Sequence, residues 1–234
     1  MEHISGIIKT PERHPEESGA SWASTQELQK RLKTAREAVA NGASKKAHAL
    51  LGIPPRYQGK AFIPSRAAEE AMRAVTDGKS LYLTGACGSG KTHLAVALLQ
   101  KWYAEGLKLN AEGEIYPSRG RAVFLPAIEL MLEIKQAWNA DEGVKNESEK
   151  QIIDRYSRLT FLILDDLGAE KISEGSRQVM YALLDRRYRE CAQTIITSNL
   201  SIERLQESFD DRIASRICEM GVVIDMGRKD WRVR

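Results

Sequence analysis

The sequence lacks both a cysteine framework and a long apolar run. Its 234 residues contain three cysteines, Cys87, Cys191 and Cys218, which lie far apart and form no C-x-x-C pair. This pattern argues against structural disulfides and a zinc site, and it favours a reduced compartment. No apolar stretch approaches the roughly 18 residues that a membrane span needs, and residues 1–19 contain no apolar signal core. We therefore expect a cytoplasmic protein with no membrane segment.

The sequence also lacks a large excess of charge of either sign. Lys and Arg number 35 and Asp and Glu number 32, and this net charge of +3 does not by itself indicate a nucleic-acid partner. Two segments are more basic: residues 30–46 carry six bases against one acid, and residues 227–234 carry four bases against one acid. Each segment fits a solvated surface or a contact for phosphate backbones, and the sequence leaves both interpretations open. With 42% hydrophobic and 29% charged residues, the composition excludes collagen-like and wholly disordered chains.

The first part of the chain differs in pattern from the rest. Residues 1 to about 24 mix Pro, Gly, Ser and charge without periodicity, which predicts a mobile arm. Apolar periodicity then predicts helices over residues 25–40 and 45–51, and the sequence GIPPRYQG breaks regular structure after them. We predict a mobile arm with a helical, partner-binding appendage over residues 1–50 and the main domain over residues 51–234.

Beyond residue 60 the chain alternates between β-rich runs and helical stretches. Such alternation predicts an α/β fold in which a five-stranded parallel sheet is covered by helices on both faces. The interval between the second and third runs holds more than one helix, which indicates an insertion. The predicted strands are LYLTG (81–85), AVFLPA (122–127), FLILDD (161–166), TIITSN (194–199) and GVVIDM (221–226).

The first run leads into a glycine-rich loop with the Walker A spacing G-x-x-x-x-G-K-[ST]. Its glycines let backbone N–H groups turn inward around phosphate oxygens, and the following helix points its positive end at the same oxygens. Lys91 is placed to bridge the β- and γ-phosphates of ATP, and Thr92 to ligate Mg²⁺. Cys87 is interpreted as a small filler rather than a nucleophile. The predicted nucleotide-binding residues are Gly85, Ala86, Cys87, Gly88, Ser89, Gly90, Lys91, Thr92 and His93.

Polar side chains end the third and fourth runs. The apolar residues 161–164 suit a strand buried on both faces, so that Asp165 and Asp166 emerge at the edge where parallel sheets bind ligands. Beside a Walker A motif, we expect Asp165 to hold Mg²⁺ and Asp166 to orient or deprotonate the attacking water. Asn199, with Ser198 beside it, is predicted to hold that water or the γ-phosphate. Taken alone, these residues also fit ordinary strand ends, and Asn199 fits a cap for the next helix.

The segment DRIASRI carries two arginines near the end of the chain. Arg212 and Arg216 are four residues apart and therefore share one helix face. From this spacing alone, a solvated face is the more frequent arrangement.

These motifs, in this order, resemble the DnaC/IstB group of AAA+ ATPases, which comprises helicase loaders and transposition helper ATPases. The segments that carry the resemblance are GACGSGKTHLAVAL, FLILDDLG, LLDRRYRE, TIITSNL and DRIASRI, and it covers about residues 50–234. It implies an AAA+ P-loop core, ATP and Mg²⁺ as cofactors, and self-association into an AAA+ oligomer. Asp166 departs from the glutamate common among AAA+ proteins, but Asp-Asp-Leu-Gly resembles this group's own form.

The resemblance also implies roles for the two arginines. DRIASRI is similar to the box VII helix of the DnaA initiator, where an arginine reaches into a neighbour's ATP. Carried over, Arg216 becomes the arginine finger and Arg212 its interface companion. Only eight residues follow the fifth strand, too few for a three-helix AAA+ lid at about 10–12 residues a helix. A standard lid is therefore not expected, and no pattern selects Arg232 or Arg234 to replace its sensor arginine.

The resemblance further implies contacts with DNA. Residues 128–157 lie where initiator-type members carry an insertion that lies against single-stranded DNA. Lys135, Trp138 and Lys145 are the candidates for this contact, although Trp138 fits packing equally well.

The implied function is an ATP-dependent loader of a replicative hexameric DNA helicase in replication initiation or restart. Hydrolysis would take place at subunit interfaces, with contact to single-stranded DNA. The alternative is an IstB-like ATPase that regulates a transposase on duplex DNA, although DRIASRI is more similar to the loaders. A third interpretation, a nucleotide-dependent binding module that hardly hydrolyses ATP, conflicts with the intact pair Asp165 and Asp166.

Overall fold

The computed structural model describes residues 24–139, 147–168 and 173–232. Within these ranges the helices are α1 Thr25–Ala40, α2 Lys45–Leu51, α3 Arg66–Thr76, α4 Lys91–Glu105, α5 Ala127–Trp138, α6 Glu149–Ser157, α7 Glu174–Arg189, α8 Ile202–Ser208 and α9 Asp211–Met220, with a 3₁₀ turn at Pro55–Tyr57. The strands are β1 Ser80–Thr84, β2 Leu107–Leu109, β3 Ile115–Pro117, β4 Ala122–Pro126, β5 Phe161–Asp165, β6 Gln193–Ser198 and β7 Gly221–Asp225.

One five-stranded sheet forms the centre of the molecule. Its strand order is β4-β5-β6-β1-β7, and every neighbouring pair is parallel. The five β-rich runs therefore form the sheet predicted from the sequence, which confirms the α/β fold class. Since β5, β6 and β1 are adjacent and parallel, the loops that follow them meet at one edge of the sheet.

Each face of the sheet packs against its own layer of helices. Side chains alternate along a strand, so Phe161 and Ile163 of β5 point to one core while Leu162 and Leu164 point to the other. The first core also holds side chains of α3 and α4, and the second those of α5, α6, α7 and α9. All five residues of β5 are buried, as expected for a strand covered on both faces.

The N-terminal helices belong to the first core. Leu32 and Val39 of α1 and Leu51 of α2 are buried in the same cluster as the residues of β1 and α4. The Arg36 guanidinium also donates to the carbonyl of Leu107 at 2.7 Å. The predicted boundary near residue 51 therefore does not separate two hydrophobic cores, and removing α1 would expose apolar surface of the main domain. The predicted mobile arm lies almost entirely outside the described residues.

Two features connect the strands of the main sheet. A small antiparallel hairpin, β2 with β3, follows α4 and was not predicted, because strands of three residues carry little periodic signal. The insertion between β4 and β5 consists of α5 and α6, as the length of that interval predicted.

Within the described ranges, no helix combines the length and the apolarity required to cross a membrane.

A fully buried arginine joins three elements of the second layer. Arg187 of α7 donates to the carbonyls of Tyr156 and Leu159 at 2.8 Å, to that of Gln193 at 2.6 Å and to the Thr194 hydroxyl at 2.8 Å. Burial lowers the pKa of Arg187 to about 10, so the side chain stays a cation at neutral pH.

We expect Arg187→Ala to lower the free energy of unfolding by about 3–5 kcal/mol, because it opens a cavity and leaves buried carbonyls without donors. Arg189→Ala is the matched control. Arg189 is exposed and pairs with Asp185 at the surface, so its loss should cost under about 1 kcal/mol. Urea denaturation of both variants measures the difference, and equal stability of the two would contradict the assigned role.

Candidate nucleotide-binding site

A cleft of about 440 Å³ opens at the carboxyl edge of the sheet. This volume lies within the usual range for small-molecule sites. Its lining combines residues of the Walker A segment, β5 and β6 with a preceding and a following segment of the chain. The lining residues are Arg56, Tyr57, Lys60, Cys87, Gly88, Gly90, Lys91, Thr92, His93, Asp165, Asp166, Asn199, Trp231 and Arg232.

The Walker A segment forms a tight loop between β1 and α4. Gly90 caps α4 with a φ of +93°, a left-handed conformation that favours glycine. The first amides of α4 follow directly, so the positive end of this helix is at the cleft. The Ser89 hydroxyl is buried and has no hydrogen-bond partner among the described residues. Ser89 is not among the described residues that line the cleft, and its hydroxyl lies beside Gly85.

Lys91 connects the loop to the strand tips. Its ammonium donates to the carbonyls of Gly85 and Ala86 at 2.9 Å each and to Asn199 Oδ1 at 2.7 Å. Burial lowers the pKa of Lys91, and the charge of Asp166 opposes this shift. The ammonium is thus held at the inner end of the cleft, where the predicted phosphates would lie.

The two carboxylates occupy different environments. Asp165 is 7% exposed, and burial raises its pKa, against the opposing effect of the Thr197 and Thr92 hydroxyls. Asp166 is exposed and has a φ of +59°, a strained conformation for a residue with a side chain. Its Oδ1 accepts from Asn199 Nδ2 at 3.1 Å. Lys91, Asn199 and Asp166 therefore form one chain of hydrogen bonds.

Thr197 fixes the relative positions of the carboxylates, and sequence reasoning gave it no role. Its hydroxyl donates to Asp165 Oδ1 at 2.7 Å and accepts from the Asp166 N–H at 2.8 Å. The available signal was a hydroxyl residue near the end of an apolar strand. Ser198 is buried outside the cleft, where its hydroxyl donates to the Leu167 carbonyl at 2.6 Å. It therefore supports the loop after β5 and does not assist Asn199 in the cleft.

The structure does not bring every predicted nucleotide-binding residue to the cleft. Gly85 and Ala86 border a neighbouring depression, and the Ala86 N–H donates to the Gly227 carbonyl at 3.0 Å. His93 lines the cleft, but its Nε2 lies 2.8 Å from the Ala61 carbonyl and so connects α4 to the segment before α3.

The two predicted interface arginines lie on α9 and are not among the described residues that line the cleft. Arg216 donates to Asp185 Oδ1 and to Glu219 Oε2, both at 2.9 Å, and its guanidinium lies over the Tyr188 ring. Arg212 pairs with Asp210 and lies over the Tyr181 ring. Both guanidiniums are therefore paired with carboxylates of their own chain, outside the cleft.

The predicted DNA contacts lie on and after α5. Lys135 is exposed. Trp138 is partly packed: its indole N–H donates to Glu149 at 2.9 Å, and a β-carbon at Gly175 would overlap its ring. Lys145 and Arg234 lie outside the described residues.

Sequence reasoning did not select five lining residues outside the motifs. Arg56, Tyr57 and Lys60 come from the segment whose sequence predicts only a break in regular structure, and Trp231 and Arg232 come from the segment after β7. These residues reach the cleft through tertiary packing. The local signals were the Arg and Tyr that follow two prolines and the excess of bases in residues 227–234.

The sheet order, the Walker A loop and the adjacent acidic strand end define a P-loop nucleotide-binding protein of the AAA+ type. A family model described as IstB-like ATP binding protein matches residues 66–219, and the chain belongs to this family. It is an ATP-binding protein by that membership.

Two kinds of relative, insertion-sequence ATP-binding proteins and a helicase loader, are similar to this chain. An insertion sequence IS21 putative ATP-binding protein of Pseudomonas aeruginosa is 31% identical over 135 residues, 58% of this chain and 43% of that protein. The replicative helicase loader DnaC of Buchnera aphidicola is 25% identical over 139 residues, 59% and 50% of the two chains. A crystal structure of the DnaC helicase loader aligns with a TM-score of 0.56 and 26% identity, and covers 74% of this chain and 99% of that one. The chain spans about half the length of the curated relatives it matches.

Proposed function

We propose that this protein is an ATPase that loads a replicative hexameric DNA helicase onto DNA. The observation that carries the proposal is the chain of hydrogen bonds from Lys91 through Asn199 to Asp166, which joins a phosphate-binding ammonium to an exposed carboxylate. The likeness to the DnaC loader structure over 99% of that chain supports the choice of partner. The proposal includes a cytoplasmic location, replication initiation or restart, and contact with single-stranded DNA through Lys135 and Trp138.

In this proposal, Lys91, Asn199 and Asp166 have different roles in ATP hydrolysis. Lys91 would bind the β- and γ-phosphates, and Asn199 would orient the γ-phosphate or the attacking water. Asp166 would hold that water and accept its proton, since its carboxylate is exposed beside Asn199.

A magnesium ion fits two residues of this site. The Thr92 hydroxyl and the Asp165 carboxylate are both oxygen donors, close enough that Thr92 lowers the pKa of Asp165. Mg²⁺ prefers oxygen ligands and is usually held by one or two carboxylates together with substrate phosphates. Bound there, the ion would neutralise phosphate charge.

We further propose that a second copy of the chain completes each site. Arg216 and Arg212 lie outside the cleft of their own chain, so a role in hydrolysis requires a neighbouring subunit. Asp185 and Glu219 hold Arg216 in a fixed position on α9. At a subunit interface, Arg216 would exchange these carboxylate contacts for the γ-phosphate of a neighbour's ATP and stabilise the charge of the transition state.

A second function has its own support. The family is named for the ATP-binding proteins of insertion sequences, and the Pseudomonas aeruginosa relative reaches 31% identity. The alternative is therefore an ATPase that regulates a transposase on duplex DNA.

Partner capture distinguishes the two functions. The full chain, immobilised with and without ATP, is presented with the replicative helicase of its host and, separately, with an IS21-type transposase. The loader proposal expects ATP-dependent capture of the helicase. Capture of the transposase alone would replace it with the second function.

We expect the partner contact to involve the basic surface of α1, as predicted for residues 1–50. Lys30, Arg31 and Lys33 are exposed, while α1 packs through Leu32 and Val39. Reversal of the three charges to Glu should weaken capture by at least about tenfold, or ~1.4 kcal/mol, without an effect on ATP binding. Surface plasmon resonance measures the capture.

The matched control reverses three exposed bases elsewhere: Lys79→Glu, Lys108→Glu and Arg121→Glu. Both triple variants change the net charge equally, so only a local contact distinguishes them. Equal capture by the two variants would remove α1 from the proposed interface.

A further inference from the structure

The two arginines of α9 lie against one face of α7. Tyr181, Asp185 and Tyr188 follow one another on α7 at the spacing i, i+4 and i+7, which places them on the same side of the helix. The Arg212 guanidinium lies 4.7 Å from the centre of the Tyr181 ring, and the Arg216 guanidinium lies 4.8 Å from that of the Tyr188 ring. The carboxylate between the two rings is therefore beside the predicted arginine finger.

Arg216 is held by two carboxylates on two different helices. Its Nε donates to Asp185 Oδ1 of α7, and its Nη1 donates to Glu219 Oε2 of α9, both at 2.9 Å. Only 29% of the Arg216 side chain is exposed. Contact between Arg216 and the phosphate of another molecule therefore requires these two ion pairs to break.

Each of the two carboxylates has a second partner on its other oxygen. Asp185 Oδ2 lies 3.1 Å from Nε of Arg189, and Glu219 Oε1 accepts from the Ser215 hydroxyl at 2.9 Å. When Arg216 leaves, Asp185 keeps a cation and Glu219 keeps a donor. Because neither acid is left without a partner, release of Arg216 costs less than the separation of an isolated ion pair. The two contacts are thus reversible restraints on Arg216.

We propose that Asp185, together with Glu219, forms an autoinhibitory contact that keeps Arg216 from acting as an arginine finger until a second copy of the chain presents its ATP. Carboxylate and phosphate compete for the same donors of a guanidinium, because both offer charged oxygens to its planar fork. Removal of the Asp185 charge should therefore make a site easier to complete and leave the completed site unchanged. This inference rests on the proposed role of Arg216 at a subunit interface.

The test measures the ATP turnover of the full chain over a range of protein concentrations. If a second copy completes each site, specific activity rises to a plateau, and the half-maximal concentration reports the cost of completing the site. For Asp185→Asn we expect the half-maximal concentration to fall about three- to tenfold, while the plateau stays within about twofold of the unmodified chain. Asparagine keeps the size of the side chain, so a merely structural role would not lower the half-maximal concentration.

Glu219→Gln should shift the half-maximal concentration in the same direction, and it decides the question if Asp185→Asn does not fold. Asp154→Asn is the matched control. Asp154 pairs with Arg186 of α7, so the same substitution removes an equal charge without freeing Arg216, and the half-maximal concentration should not change. Thermal unfolding of each variant checks that the fold is intact.

A further variant combines Asp185→Asn with Arg216→Ala. If Asp185 acts through Arg216, the combined variant should be no more active than Arg216→Ala alone at any concentration. A gain in activity would show that Asp185 acts by another route and would contradict the inference.

Two other results would overturn the inference while the finger itself stands. One is an unchanged or raised half-maximal concentration in Asp185→Asn, alongside slow turnover by Arg216→Ala. The other is an equal fall in Asp154→Asn, which would assign the effect to net charge. If Arg216→Ala hydrolysed ATP as fast as the unmodified chain, the proposed finger would fail, and this inference would fail with it.

Discussion

Replacing Lys91 with alanine is expected to abolish ATP turnover and to weaken ATP binding by about 100-fold or more. The reason is the position of its ammonium, which the carbonyls of Gly85 and Ala86 and the amide oxygen of Asn199 hold at the inner end of the cleft. Without it, the γ-phosphate loses a cation, and Asn199 loses a partner. Isothermal titration and a phosphate-release assay measure the two effects.

Asp166→Asn is the contrasting variant. Lys91, Thr92 and Asp165 remain in it, so nucleotide binding should change by less than about threefold, while turnover falls by about 10²–10⁴-fold with the loss of the general base. Because the Asp166 carboxylate is exposed, the substitution should not affect folding. An equal loss of binding in both variants would show that the roles of the two carboxylates are assigned wrongly.

Arg216→Ala is expected to bind ATP as tightly as the unmodified chain and to hydrolyse it about 10³-fold more slowly, at the lower end of the effect of an arginine finger. Binding is preserved because Arg216 is not among the described residues of its own cleft. Turnover is lost because each site would depend on the arginine of a neighbour. A coupled ATPase assay at several protein concentrations measures the effect.

Arg189→Ala is the control for this prediction. Arg189 pairs with the same carboxylate, Asp185, at 3.1 Å but is largely exposed. Its loss removes an equal charge from the same surface. If Arg189→Ala slowed turnover as much as Arg216→Ala, the effect would belong to the surface charge and not to a finger.

Local sequence patterns predicted the central sheet because each strand carries its own signal. The run Phe161–Leu164 is apolar throughout and is buried on both faces, while α3 and α9 show the period of an amphipathic helix. The Walker A spacing fixed the loop between β1 and α4 for the same reason, since the glycines and the lysine act within eight successive residues.

Contacts between distant segments had no comparable signal. Thr197 contacts Asp165 across two neighbouring strands, and Arg232 reaches Cys87 across 145 residues of sequence. Neither contact follows from periodicity or spacing, because each depends on which segments the sheet places side by side after their strands end. The packing of α1 is similar: Leu32 and Val39 predicted an apolar face, but not that its partner would be the core of the main domain.

The most direct test of the account is the ATP turnover of a mixture of two inactive variants. Asp166→Asn keeps its arginine finger but has no working site, and Arg216→Ala keeps its site but has no finger. If each site is completed by a second copy of the chain, the mixture will hydrolyse ATP well above the sum of the separate proteins. In the same assay, the specific activity of the unmodified protein will rise with its concentration. A mixture with no recovered turnover, together with a specific activity that stays constant, would contradict the account and return Arg216 to an ordinary solvated surface.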